Sequence, residues 1–129
     1  MSKRVVLEIP GVDHGSTPIP LAVRVGDLVT SSAVMGADRV TGLVPDDPRR
    51  QVELLFDNLD TLMQEAGGTL DDVAKLTVYI SDDSVRPLLN EEWVARFPDG
   101  SDRPARHVTV KSLPLNFVIQ VELIGQIGA

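Results

Sequence analysis

Apolar residues alternate with polar ones near both ends of the chain and recur every three to four positions in its middle. "RVVLEI" (4–9) reads as a strand and "GVDHGSTPIP" (11–20) as an irregular loop rich in turn formers. "AVRV" and "LVTSSAV" (within 22–34) read as two strands joined at Gly26-Asp27, a two-residue hairpin turn with glycine first, followed by a second loop over 37–47. Asp47-Pro48 predicts a helix start, because a side-chain oxygen caps the free N–H groups and proline sits where no N–H is needed. From there Val52, Leu55, Leu59, Leu62, Met63 and Ala66 form one apolar stripe, and Gly67-Gly68 ends the helix. "TLDD" (69–72) reads as a capping turn and "AKLTVYIS" (74–81) as the next strand. A second helix is expected from near Asp83 to Phe97, with Pro87 in its first turn and Leu88, Leu89, Trp93 and Phe97 inward. That spacing makes Trp93 and Phe97 core residues rather than a stacking platform. "RHVTVKS" (106–112) and "NFVIQVELIGQI" (116–127) close the chain as strands joined through Leu113-Pro114-Leu115.

The order is β-β-β-α-β-α-β-β, and two helices with one apolar stripe each cover one face of a sheet. The last strand is nevertheless apolar on both sides, with Val118 and Ile124 on one and Phe117, Ile119, Val121 and Leu123 on the other. An uncovered apolar face needs a partner, and a second copy of the chain is the simplest one.

At 129 residues the chain has the size of one domain, spanning 1–129. Its formal charge of −7, with no lysine–arginine run, argues against nucleic acid as a partner, since that binding relies on basic patches displacing counterions. No stretch is apolar enough to span a bilayer, and the start carries no long apolar segment or small-residue cleavage site, so no membrane association and no signal peptide are expected. Without cysteine there is no thiolate chemistry; His14 and His107 have no acidic partners at ligand spacing, so no metal is expected, and the default compartment is cytoplasmic. Neither a glycine-rich phosphate loop nor a Ser-His-Asp set is present.

Arg106 stands out. It opens a β-branched strand just after Pro104, where a solvated strand end and a grip on an anion are both open readings. In an acidic chain, an anion site needs a sheltered, permanently charged fork that takes a carboxylate with two hydrogen bonds.

The stretches "AVRVGDLVTSSAV", "DPRRQVELLFDNLDTLMQEAGGTLDDVAKLTVYISD", "RPLLNEEWVARFP", "RPAR" (103–106) and "VIQVEL" occur in an order that resembles the RidA (YjgF-like) family of reactive-intermediate deaminases over nearly the whole chain. The resemblance implies an α+β, chorismate-mutase-like fold: a mixed sheet with two helices on one face, whose sheets form a barrel in a homotrimer. It also implies hydrolysis of small 2-imino and 2-enamino acids to 2-keto acids and ammonia in clefts between subunits, without cofactor or metal. Arg106 falls on the arginine that binds the substrate carboxylate, Asn90 on a cleft asparagine, and Ser32 on a serine near the end of the third strand.

Three positions depart from the pattern. Ile19 stands where the family has an aromatic, which implies a more aliphatic cleft wall. Ala33-Val34 replaces a glycine–glutamine pair, and Gln120 replaces the glutamate credited with positioning or activating water. The segment from Arg106 to Pro114 is also one residue short. A carboxylate accepts a proton, whereas an amide only orients water, so Gln120 implies reduced activity or an altered substrate. Glu122, two residues along the same strand face, is a less well-placed substitute and reads better as a structural carboxylate. His107 is expected to face away from Arg106, with an interface role preferred over a catalytic one. The alternative function is a non-catalytic trimer of the same fold that binds small carboxylates.

Overall fold

In the computed structural model, which describes residues 3–128, the alternating stretches form one seven-stranded mixed sheet. Met1, Ser2 and Ala129, the ends of the expected domain, lie outside the described residues. The strands are β1 (Arg4–Leu7), β2 (Ala22–Val25), β3 (Leu28–Ser31), β4 (Val34–Met35), β5 (Val73–Ile80), β6 (Ala105–Val110) and β7 (Ile119–Gln126). Their order is β1-β2-β3-β7-β5-β6, with β4 also pairing to β7. Only β5 and β6 run parallel, and the helix between them, α2 (Arg86–Arg96), makes that crossover. Both α2 and α1 (Pro48–Glu65) pack on the same face of the sheet.

Helix α1 begins as expected. Asp47 has extended backbone and its Oδ1 accepts the Arg49 N–H at 3.1 Å, with Pro48 in the first turn. Replacing Asp47 by alanine is expected to cost about 1 kcal/mol, read as a lower urea midpoint at unchanged slope. An unchanged midpoint would remove the capping role. The stripe of Val52, Leu55, Leu59, Leu62 and Met63 is fully buried on the sheet, each side chain contributing about 1.5–3 kcal/mol relative to exposure. The Gly26-Asp27 hairpin turn forms with Gly26 at φ 58°, the geometry glycine adopts without a Cβ clash.

Two buried amides on α1 tie down loops. Asn58 Nδ2 donates to the carbonyls of Met35 and Ala37 at 3.0 Å each. Gln51 Nε2 donates to the carbonyls of Pro45 and Asn116, while its Oε1 accepts the Val118 N–H. Between them the chain passes α1 at Gly36, where an added Cβ would collide with the Gln51 carbonyl.

Some boundaries differ from the sequence expectation. The strand expected over 28–34 is broken into β3 and β4: between Thr30↔Ile124 and Val34↔Val121, three residues face two on β7. This bulge is stabilised by Ser31 Oγ, which accepts the Leu123 N–H at 2.8 Å in place of a backbone carbonyl. Strand β7 starts at Ile119 rather than Asn116, because Pro114–Phe117 forms a turn with Leu115 at φ 54°.

In β7, odd positions 119, 121 and 123 are buried under the helices, whereas Ile124 remains exposed on the opposite face. There the register aligns it with Val6, Val25 and Leu28, also exposed. The helices therefore leave one sheet face with an uncovered apolar patch. No helix among the described residues is long and apolar enough to cross a membrane.

Candidate functional site

Arg106 lies on the edge strand β6 in register with Leu76, whose side chain is buried beneath the helices. Registered neighbours in a sheet point the same way, so Arg106 faces α2, and His107, paired with Thr77, faces away as alternation predicts. Residues 86, 90, 93 and 97 follow one another along one face of α2 and its C-terminal cap. A short 3-10 turn, Asp83–Val85, leads into that helix and is capped by Asp82, whose carboxylate accepts the Ser84 N–H at 2.7 Å and the Ser84 hydroxyl. Those bonds from Ser84 hold the Asp82 carboxyl below its usual range.

The Arg106 guanidinium is gripped from two sides. Its Nη2 donates to Asn90 Oδ1 at 2.9 Å, and its Cζ lies 4.9 Å from the centre of the Trp93 ring. Trp93 in turn meets Phe97 edge to face at 4.9 Å. The two aromatics are core residues, as expected, but the expectation that Trp93 offers no stacking surface is corrected: its outer face carries the guanidinium. A sequence pattern shows which side of a helix is apolar, not which edge of a ring stays open.

Arg106 Nη1 is buried and has no hydrogen-bond partner among the described residues. Burial, and after it the positive charge of Arg86, lower the Arg106 pKa, but a guanidinium starts so far above neutrality that it remains charged. The carboxylates flanking Asn90 do not compete for it. Glu91 pairs with Arg49, while Glu92 bonds Arg96, which also holds Asp57 at 2.6 Å. A partly desolvated, charged donor held by a neutral amide and an indole, with one arm unsatisfied, has the chemistry to bind an anion.

The remaining sequence candidates gather elsewhere. Ser32 lies in the β3–β4 bulge, and its Oγ donates to the Pro20 carbonyl at 2.9 Å. Ile19 is exposed on the loop that this bond anchors. His14 Nε2 meets the Ala33 carbonyl at 2.7 Å and ties the same loop to the bulge. Gln120 is half-buried on β7, beside Met35 of β4 and Tyr79 of β5, on the sheet face opposite Arg106. Val34 is fully buried against Val121. Arg106 and Gln120 are two strand spacings and three residues apart, roughly 14 Å between Cα atoms, and point to opposite faces. One chain therefore carries two half-sites that do not meet. A cavity of about 450 Å³ near Met35, Val44 and Phe117 is lined by no cation and joins neither half-site. Among the described residues no cluster of three or more potential metal ligands occurs.

Residues 18–127 match the family model described as Endoribonuclease L-PSP. The chain belongs to this family, the RidA (YjgF-like) family. Similar proteins include a RutC family protein of Aquifex aeolicus, 35% identical over 84% of this chain and 87% of the relative. The 2-iminobutanoate/2-iminopropanoate deaminase of Escherichia coli is 29% identical over 97% of this chain and 98% of the relative. RidA from an Antarctic Psychrobacter superposes with a TM-score of 0.84 at 30% identity, covering 98% of this chain and all of the other. The names of the family and of its members divide between nuclease and deaminase chemistry.

Sequence reasoning missed two residues of the Arg106 site, Trp93 as a platform and Arg86 as a neighbouring cation. The i, i+4 spacing of Arg86 and Asn90 was a signal that could have found the second.

Proposed function

We propose that this RidA-family member hydrolyses small 2-imino and 2-enamino acids to 2-keto acids and ammonia, in clefts between subunits of a homotrimer. The observation that carries the reading is the Arg106 guanidinium, pinned by Asn90 and Trp93 with a buried, unpartnered Nη1. It would take the substrate carboxylate. The E. coli relative named for 2-iminobutanoate and 2-iminopropanoate supports this substrate class. The uncovered patch around Val6, Leu28 and Ile124 and the separation of the two half-sites support assembly: a neighbouring copy would bring Ser32, Ile19 and Gln120 up to Arg106.

In this reading the carboxylate bound to Arg106 fixes C2 of the imine. Water adds to C2 and gives up a proton while the imine nitrogen takes one from solvent, forming the carbinolamine. Its hydroxyl then loses a proton as the amino nitrogen gains a second from solvent, and the C2–N bond breaks to release ammonia as the C=O bond forms. Gln120 would orient the water through its amide but cannot take the proton, which then passes to solvent. The activity expected is correspondingly modest.

A second reading, a non-catalytic carboxylate-binding trimer, is favoured by that same amide. Ammonia release from 2-iminopropanoate and 2-iminobutanoate generated in situ separates the two. Deaminase function predicts a rate above the spontaneous one and a further gain of about 10–100-fold in Gln120→Glu. Rates equal to buffer in both proteins, with carboxylate binding retained, would establish the binder instead.

A further inference from the structure

Arg86 is placed against its own electrostatic interest. It opens α2, where the helix dipole is positive, and its charge acts on Arg106, a second cation. Its partner is Asp83, at 3.2 Å from Nη2 and 3.4 Å from Nε; the Asp83 side chain is largely solvated and that of Arg86 is 40% exposed. An exposed pair of that kind contributes little to stability. Four residues separate Arg86 from Asn90, so the two side chains leave the same face of α2 one turn apart, about 5.4 Å along the axis. Asn90 in turn holds Arg106 Nη2. The three residues make a short positive row, Arg86–Asn90–Arg106, against Trp93. The nearby carboxylates Glu91 and Glu92 are drawn off to Arg49 and Arg96.

We propose that Arg86 is a specificity determinant that reads a second carboxylate, so that the site prefers dianionic ligands: 2-imino dicarboxylates of four or five carbons over 2-imino monocarboxylates. The proposal rests on the carboxylate-binding reading of Arg106 given above. Arg106 takes the carboxylate next to the imine carbon, and Arg86, one helical turn from the Asn90 that holds Arg106, takes the distal one. Asp83 yields readily, because its bonds to Arg86 are long and exposed. A dianion between the two guanidiniums also relieves their mutual repulsion, which a monoanion on Arg106 does only in part.

The test compares butanoate with succinate, two four-carbon acids that differ in one carboxylate, by titration calorimetry on the full-length protein and on Arg86→Gln. Wild type is expected to bind succinate about 10-fold more tightly than butanoate, with the steeper loss of affinity as salt rises. In Arg86→Gln that ratio is expected to collapse toward one. A variant that merely disturbed the helix would weaken both ligands together and leave the ratio standing, which would overturn the proposal. So would a wild type that binds succinate no better than butanoate. Failure of both acids to bind wild type would instead remove the carboxylate reading of Arg106, and this inference with it.

Discussion

Arg106→Ala is expected to lower carboxylate affinity and imine turnover by about 100-fold or more while leaving the fold as stable as before. The first half follows from losing a charged, two-pronged donor, whose hydrogen bonds to a carboxylate contribute about 1.5–3 kcal/mol each. The second half is the more telling. Arg106 donates one hydrogen bond to Asn90 and lies on the face of Trp93, but keeps Nη1 buried and unsatisfied among the described residues, under the like charge of Arg86. Gains and costs nearly cancel, so the midpoint of thermal unfolding should move by no more than a few degrees, equivalent to about 1 kcal/mol. Arg106→Lys should retain a small part of the binding, because an ammonium supplies charge without the planar fork. A structural arginine would behave in the opposite way, with a large fall in the unfolding midpoint and unchanged ligand binding. That result would sink the site assignment.

Gly36→Ala is expected to destabilise the protein by about 3 kcal/mol or more, lowering the thermal midpoint by about 10 °C or yielding no folded protein. The added methyl would lie inside the Gln51 carbonyl and 3.0 Å from the Gln51 Cα, both backbone of the first turns of α1. Unlike a side-chain tip, backbone cannot step aside. Relief requires lifting α1 from the β4 segment, and with it the bonds from Asn58 to Met35 and Ala37, those from Gln51 to Pro45 and Asn116, and the one Gln51 accepts from Val118. A thermal melt of the variant beside wild type decides it. A shift under about 3 °C would mean that the segment has slack which the packing does not show.

The sequence by itself determined the features that depend on neighbours within a few residues. Asp47-Pro48 opens α1 and Gly67-Gly68 closes it, because capping and left-handed backbone are satisfied locally. Gly26-Asp27 makes the hairpin, and the two-residue alternation of β6 and β7 places His107 opposite Arg106 and Glu122 beside Gln120. The family to which the chain belongs was legible from the order of its local motifs.

The tertiary structure decided what depends on register between distant segments. That Arg106 meets α2 follows from β5 and β6 pairing in parallel with Leu76 opposite Arg106, a choice no residue near 106 encodes. The bulge that breaks the third strand at Ser32 exists because β7 supplies two residues where the other strand has three. Arg106 and Gln120 stand on opposite faces of one sheet for the same reason. Alternation fixes a side chain's face only relative to its own strand, whereas packing of the helices against one side of the whole sheet fixes which face is which.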